Sequence, residues 1–164
     1  MRRFSGRARL PMCGNEKAFV ISECRREELP EITRILEGAP EAAMWSEEAL
    51  GAALSADFQP FLVARSEKEI VGFILGRMIG SEAEILNLAV KKAFRRRGVG
   101  NALVKAVMAM CESSRCTRAF LEVRESNRGG IAFYEGLGFR WVGRREGYYR
   151  NPVEAALVLA RPAD

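Results

Sequence analysis

The chain has 164 residues, of which 48% are hydrophobic and 29% charged, a balance typical of one globular domain with a buried core. Its net charge of +5 is compatible with an anionic ligand or a nucleic-acid-associated partner, but it is too small to indicate either. Because the sequence contains no histidine, Ser-His and Cys-His catalytic pairs and histidine-containing zinc sites are excluded.

Cysteine spacing and hydropathy predict the compartment. Cys13, Cys24, Cys111 and Cys116 form no C-x-x-C pair, so we expect reduced thiols and no metal site. No apolar stretch is long enough to span a membrane, and the basic N-terminus lacks the apolar segment of a secretory signal. We therefore predict a cytoplasmic protein without membrane contact, with residues 1–16 as a flexible extension and 17–164 as a single domain.

The first half of the chain predicts a strand and two helices. Residues 19–21 form a short apolar strand, and a helix opens at 27–30 and ends at Gly38. Ser46 is a candidate N-cap for a second, short helix. The apolar positions of the two helices fall on one face each: Leu29, Ile32, Ile35 and Leu36 in the first, and Leu50, Ala53 and Leu54 in the second.

The remainder alternates strands and helices, which predicts an α/β (α+β) protein. Residues 61–65 and 70–78 form an antiparallel hairpin, so the sheet is mixed and mostly antiparallel rather than doubly wound. The further predicted strands are 84–90, 119–123, 139–144 and 155–160, and the further helices are 101–111 and 129–137.

A glycine-containing turn predicts a phosphate site. Arg95-Arg96-Arg97-Gly98-Val99-Gly100 follows the apolar run 85–90 and opens a helix, where unpaired N–H groups and the helix dipole favour an anion. Its spacing matches neither a P-loop nor a Rossmann turn. The turn alone leaves open a second interpretation, a basic surface turn that caps a core helix.

Several ordered motifs resemble the GCN5-related N-acetyltransferase (GNAT) superfamily, and within it the ribosomal-protein-alanine (RimI-like) N-acetyltransferases. The resemblance implies the GNAT fold, with about six or seven strands and about four helices, and acetyl-CoA as cosubstrate with no metal. It rests on R-x-x-G-x-G at 95–100 and on Trp45-Ser46, Leu86-Asn87-Leu88-Ala89-Val90, Leu121-Glu122-Val123-Arg124-Glu125-Ser126-Asn127, Ala132-Phe133-Tyr134-Glu135, Leu137-Gly138-Phe139 and Tyr148-Tyr149.

The same resemblance implies a role for each matching position. Glu122 matches the family's general base, Tyr134 its general acid, and Asn127 a residue that hydrogen-bonds the cofactor near its thiol end. Arg95 begins the pyrophosphate motif. The backbone of Leu88, Ala89 and Val90 would bind the pantetheine arm, and the amides of Arg96, Arg97, Gly98, Val99, Gly100 and Asn101 would bind the pyrophosphate.

These residue types suit the implied chemistry. A free α-amine has a pKa of about 8, so it must lose a proton before or as it attacks a thioester. Glu122 alternates with Leu121 and Val123, which turns its carboxylate away from the core; we expect burial to raise its pKa or a water to relay the proton. The Tyr134 phenol, with an ordinary pKa of about 10, could protonate the departing thiolate, so transfer proceeds by direct attack in a ternary complex.

Structural roles are the alternative for the same residues. Glu122 could be a solvated strand residue paired with Arg124 or Arg118, and Tyr134 a half-buried helix aromatic. Asn127 or Ser126 could simply cap the helix that follows.

The expected activity is acetylation of a protein N-terminus, most specifically the N-terminal alanine of a small-subunit ribosomal protein, with no direct nucleic-acid binding. Two departures from the family weaken the acceptor assignment: Met44 stands where proline is common, and Ala155 stands where a second acidic residue is common. The alternatives are a lysine or small-amine acetyltransferase, and a noncatalytic acyl-CoA-binding or ribosome-associated module whose arginines contact RNA phosphates.

Overall fold

The computed structural model describes residues 19–56 and 60–163, so Cys13 and the predicted N-terminal extension lie outside the described residues. The strands are β1 (Phe19–Glu23), β2 (Phe61–Ser66), β3 (Glu69–Ile79), β4 (Glu82–Val90), β5 (Arg118–Arg124), β6 (Arg140–Arg150) and β7 (Val153–Pro162). The helices are α1 (Leu29–Glu37), α2 (Glu47–Ser55), α3 (Val99–Ser113) and α4 (Arg128–Gly136), and short 3-10 turns lie at Arg26–Glu28 and Lys92–Phe94.

Within the described part of the chain, seven strands form one mixed sheet in the order β1-β2-β3-β4-β5-β7-β6. The β1–β2, β2–β3, β5–β7 and β6–β7 pairs are antiparallel, whereas β4–β5 is parallel. The predicted fold, a mixed and mostly antiparallel sheet with four helices, is confirmed. No helix among the described residues is both long and apolar enough to cross a bilayer.

The chain clusters into two compact units. Unit 1 contains the described residues up to Gly76 together with Asn87–Val107, and unit 2 contains Arg77–Leu86 and the described residues from Met108 onward. The single domain over 17–164 stays a prediction.

In unit 1 the predicted apolar faces are buried. All four apolar positions of the α1 face are at most 3% exposed, and in α2 Leu50 and Ala53 are buried whereas Leu54 is half-buried. The predicted cap is also present, because the Ser46 hydroxyl accepts a hydrogen bond from the Ala49 amide at 3.1 Å.

The buried core of unit 2 includes aliphatic side chains of β5 and β7 and the aromatic side chains of Tyr134 and Phe139. Leu121, Phe139 and Leu159 are fully buried, and the Tyr134 ring meets Phe139 edge-on with centroids 5.6 Å apart. Cys111 and Cys116 are buried free thiols, and burial raises the pKa of Cys111 to about 12.

Strand β6 extends to Arg150, six residues beyond the end of the predicted strand 139–144. The prediction ended too early because this sequence lacks the apolar–polar alternation of a half-buried strand. The strand lies at the sheet edge, most of its residues are exposed, and it contains several arginines. Its register with β7 shifts between Trp141 and Gly143 and again between Arg145 and Tyr149, where Gly147 has a φ of 57°.

Gly72 in β3 permits a close approach to the end of β4. A Cβ built at this glycine would lie 3.0 Å from the Ala89 carbonyl oxygen and 3.2 Å from side-chain atoms of both Val90 and Val99. Backbone and two branched side chains would have to move to admit a methyl group.

We expect Gly72→Ala to lower the free energy of unfolding by about 1–3 kcal/mol through overpacking, measured by urea denaturation. Gly136→Ala is the matched control, since a Cβ at that position would meet no described atom within 4 Å beyond its own helix backbone, and we expect it to be neutral or slightly stabilising. Equal stability of the two variants would show that the β4 backbone can shift at Ala89 at little cost in free energy.

Candidate active site

The end of β4 provides backbone groups for an added chain. The parallel pairing of β4 with β5 runs from Glu82 to Ile85, whereas β4 itself continues to Val90. In the described register, that pairing uses no residue of Leu88–Val90. An extended ligand could therefore pair with this main chain, as the sequence predicted for pantetheine.

The glycine turn after β4 has the geometry of an anion site. Arg96 and Gly98 adopt positive φ angles of 61° and 82°, and α3 begins at Val99. The first-turn amides of a helix have no acceptor within it, and alternating backbone handedness turns successive N–H groups to one side. Arg96, Arg97 and Gly98 are exposed, so the residues present fit a diphosphate.

The side chain of Arg95 is used inside unit 1. Its Nε donates to the Val90 carbonyl at 3.0 Å, and its Nη2 lies 2.7 Å from a Glu41 carboxylate oxygen and 3.5 Å from the Gly38 carbonyl oxygen. The first arginine of the motif therefore ties the turn to the segment between α1 and α2. Sequence reasoning did not anticipate this contact.

Asn87, in β4, also binds the segment between α1 and α2. It is only 5% exposed, and its Nδ2 donates to the Ala43 carbonyl at 2.7 Å. The signal in the sequence was a polar residue inside the apolar run 85–90, because a buried amide requires a hydrogen-bond partner. Trp45, at the end of this segment, is half-buried, and Met44 is exposed.

In unit 2 the carboxylate of Glu122 lies opposite the core face of β5, as the alternation predicted. Leu121 and Val123 are buried, and the Glu122 side chain is 13% exposed. Arg145 Nη1 donates to Glu122 Oε1 at 2.5 Å, and the Tyr148 hydroxyl also hydrogen-bonds this carboxylate. The alternative pairing with Arg124 or Arg118 is wrong, since these bind Glu154 and Glu82.

The hydrogen bonds to Glu122 fix the protonation state of its partners. The bond from Tyr148 raises the pKa of that phenol to about 12, so it remains a donor throughout the neutral range. The same carboxylate raises the pKa of Arg145. The Arg145 guanidinium also lies over the Tyr148 ring, 4.4 Å from its centroid.

Tyr134 is buried, not half-buried as the structural alternative proposed. Its ring contacts Phe133 and Phe139 edge-on, with centroids 5.0 and 5.6 Å away. Burial raises the pKa of its phenol, and the nearby Tyr149 adds to the effect. The hydroxyl therefore holds its proton and can act as a hydrogen-bond donor.

Asn127 is the N-cap of α4. Its Oδ1 accepts from the Gly130 amide at 2.9 Å, so the capping alternative is confirmed. The cap uses the oxygen of the amide and leaves the Nδ2 donor for another partner. The predicted hydrogen bond from Asn127 to the cofactor stays a prediction.

Glu154 links β7 to the start of α4. It accepts from the Ser126 amide at 2.5 Å and from Arg124 Nη1 at 3.2 Å, and hydrogen bonding from Ser126 lowers its pKa. Arg124 in turn lies over Tyr149 at 4.1 Å. Ala155, the departure from the family pattern, is 5% exposed, where a second carboxylate would be buried.

The described residues contain no group of three or more metal-ligating His, Cys, Asp or Glu side chains. The candidate chemistry is thus built from main-chain donors in unit 1 and from a carboxylate, phenols and arginines in unit 2.

Comparison with known proteins identifies the family of the chain. The model of the acetyltransferase (GNAT) family matches residues 22–139. The [ribosomal protein bS18]-alanine N-acetyltransferase of Escherichia coli K12 is 31% identical over 144 residues, which cover 87% of this chain and 96% of that protein. An N-alpha-acetyltransferase of Sulfurisphaera tokodaii is 34% identical over 113 residues, covering 61% of this chain and 68% of the relative.

A solved structure gives the same result at the level of the fold. The crystal structure of the ribosomal-protein-S18-alanine N-acetyltransferase from Escherichia coli superposes with a TM-score of 0.78 at 27% identity, covering 89% of this chain and 94% of that one. The chain therefore belongs to the GNAT acetyltransferase family, resembles its ribosomal-protein-alanine branch as the sequence motifs predicted, and is an acetyl-CoA-dependent N-acetyltransferase.

Proposed function

We propose that this enzyme acetylates the N-terminal α-amino group of a protein, and that its acceptor is the N-terminal alanine of a small-subunit ribosomal protein. The similarity to proteins named for acetylating alanine or an α-amine supports this acceptor class. The observation that carries it is the Glu122 carboxylate, which is largely buried, lies opposite the core face of β5 and is held by two hydrogen-bond donors. A cationic amine is the partner that such a carboxylate favours.

Unit 1 residues bind the cosubstrate in this proposal. Acetyl-CoA supplies an activated acetyl thioester. The amides of 96–101 bind its pyrophosphate, because the positive φ angles of Arg96 and Gly98 direct N–H groups outward at the start of α3. The main chain of Leu88–Val90 binds the pantetheine arm as an added strand.

Glu122 accepts the proton that the acceptor amine must lose, directly or through a water. The Tyr148 hydroxyl donates to this carboxylate, which raises the pKa of that phenol to about 12, so at neutral pH it orients Glu122 without competing for the amine's proton. The carboxylate is thereby held in place while it acts as the base.

Tyr134 donates to the sulfur that leaves. Because burial raises its pKa, the phenol gives up its proton only as negative charge develops beside it, and an isolated phenolate is disfavoured. Proton transfer therefore accompanies departure of the thiolate, and no covalent enzyme intermediate is required.

Acceptor class is tested by incubating the enzyme with acetyl-CoA and a panel of peptides. We expect peptides with a free N-terminal alanine to be acetylated at the α-amine, identified by mass spectrometry, and lysine-containing peptides with blocked N-termini to be inert. Preferential acetylation of lysine, polyamines or other free amines would replace this acceptor. Absence of any turnover, together with salt-sensitive binding to RNA, would instead support the noncatalytic module.

We expect Glu122→Gln to lower kcat by about 100-fold or more while the affinity for CoA changes little, because an amide cannot accept the amine's proton. Steady-state kinetics and calorimetry with CoA measure the two effects. Glu125→Gln is the matched control, since Glu125 pairs with Arg144 on the surface and should retain activity. Comparable loss of CoA binding in the Glu122 variant would assign this residue to the cofactor instead.

We expect Tyr134→Phe also to lower kcat by about 100-fold, because the ring still packs against Phe139 but the proton donor is lost. In the wild type the raised pKa keeps Tyr134 protonated beyond its ordinary value of about 10. A pH profile of kcat should therefore show no loss attributable to this phenol below about pH 10. Full activity of the variant would eliminate Tyr134 as the acid.

A further inference from the structure

Glu122 is bound by a cation of its own chain. Arg145 Nη1 lies 2.5 Å from Oε1, and its guanidinium covers the ring of Tyr148, the second donor to the same carboxylate. The acceptor of the proposed reaction arrives as an ammonium ion that needs this carboxylate. Two cations at one carboxylate repel each other, so Arg145 and the ammonium compete for it.

Arg145 is suited to leave. Its side chain is 57% exposed, so its charge loses little solvation in the pair and regains it readily on release. It lies at the start of the irregular stretch of β6, where register with β7 shifts between Arg145 and Tyr149 and Gly147 has a positive φ. Backbone in a bulge is less constrained by ladder hydrogen bonds than backbone in a regular pair.

Three other carboxylates of unit 2 are already paired with arginines of their own, and one of them is Glu84, which acts on Arg145 electrostatically and is bound by Arg77. Glu154 is bound by Arg124 and Ser126, and Glu125 forms two hydrogen bonds with Arg144, at 3.1 and 2.8 Å. Tyr148 also donates to Glu122, so the carboxylate has a second donor besides the guanidinium.

We infer that Arg145 is a specificity-determining residue that covers the Glu122 carboxylate in the free enzyme, and that the acceptor's α-ammonium group displaces it on binding. This inference rests on the proposed role of Glu122. A neutral N-terminus cannot replace the guanidinium, so the covered carboxylate discriminates against acceptors that lack a free amine. Arg145 thereby lowers acceptor affinity in exchange for selectivity.

The first test compares Arg145→Met with wild type in acetyl transfer to an eight-residue peptide that begins with alanine. Methionine keeps an aliphatic chain over Tyr148 but removes the competing charge. We expect the KM for the peptide to fall about 2- to 5-fold, the range set by a partly exposed ion pair, with a smaller change in kcat. Arg145→Lys should restore the wild-type KM.

Arg144→Met is the matched control, because it removes an adjacent arginine of β6 that binds Glu125 instead of Glu122. Its KM should equal that of the wild type. An unchanged or raised KM in Arg145→Met, or a fall in kcat alone, would overturn the inference and assign Arg145 to orientation of the base. Thermal denaturation of each variant checks that the comparison is made between folded proteins.

The second test measures peptide binding to CoA-loaded enzyme by calorimetry, using the same peptide and its analogue without the N-terminal amine. We expect Arg145→Met to tighten binding of the amine peptide about 2- to 5-fold and to leave the analogue unaffected. Equal tightening of both peptides would mean that Arg145 is a steric cover and would overturn the inference.

The two proposals fail in different ways. A wild-type enzyme that acetylates no N-terminal peptide overturns the proposed function and this inference with it. If the enzyme acetylates the peptide but Arg145→Met leaves the peptide KM and affinity unchanged, only the inference is overturned.

Discussion

The alternation of β5 is the constraint on which the chemistry of unit 2 depends. Successive side chains of a strand point to opposite faces, so burial of Leu121 and Val123 leaves Glu122 on the other face. A shift of one residue in the β5–β7 register would bury the carboxylate and expose two apolar side chains, which the hydrophobic effect opposes. Packing of the core and placement of the Glu122 carboxylate are therefore one requirement.

The edge strand β6 provides the two hydrogen-bond donors to Glu122. Its irregular pairing with β7 brings Arg145 and Tyr148, three residues apart, to one carboxylate. A regular strand would place residues three apart on opposite faces. The irregularity around Gly147 thus places a guanidinium and a phenol of the exposed edge strand beside Glu122.

In unit 1 the important groups belong to the main chain. The backbone around Gly98 presents amides at the start of α3, and the close approach at Gly72 lets the end of β4 lie near β3 and Val99. Arg95 and Asn87 then bind carbonyls between α1 and α2. Residues of the expected cofactor stretch therefore also position the α1–α2 segment, whose conformation depends on them.

The sequence by itself determined the order and type of the helices and strands, the buried face of α1, the cap at Ser46 and the outward direction of Glu122, and it narrowed the cap of α4 to Ser126 or Asn127. Each of these follows from local periodicity or from hydrogen bonds within a few residues. The family motifs implied chemical roles for Glu122 and Tyr134, which periodicity could not supply and which stay predictions.

Only the tertiary structure decided which arginine binds Glu122, how far Tyr134 is buried, where β6 ends and that Arg95 turns inward. These contacts join residues separated by many positions in the chain, such as Arg145 with Glu122 and Arg95 with Glu41. The chain has 26 lysines and arginines, and composition offers many equivalent partners for each carboxylate. Strand register and bulges select among them, because an ion pair forms only where the backbone brings the two charges within reach.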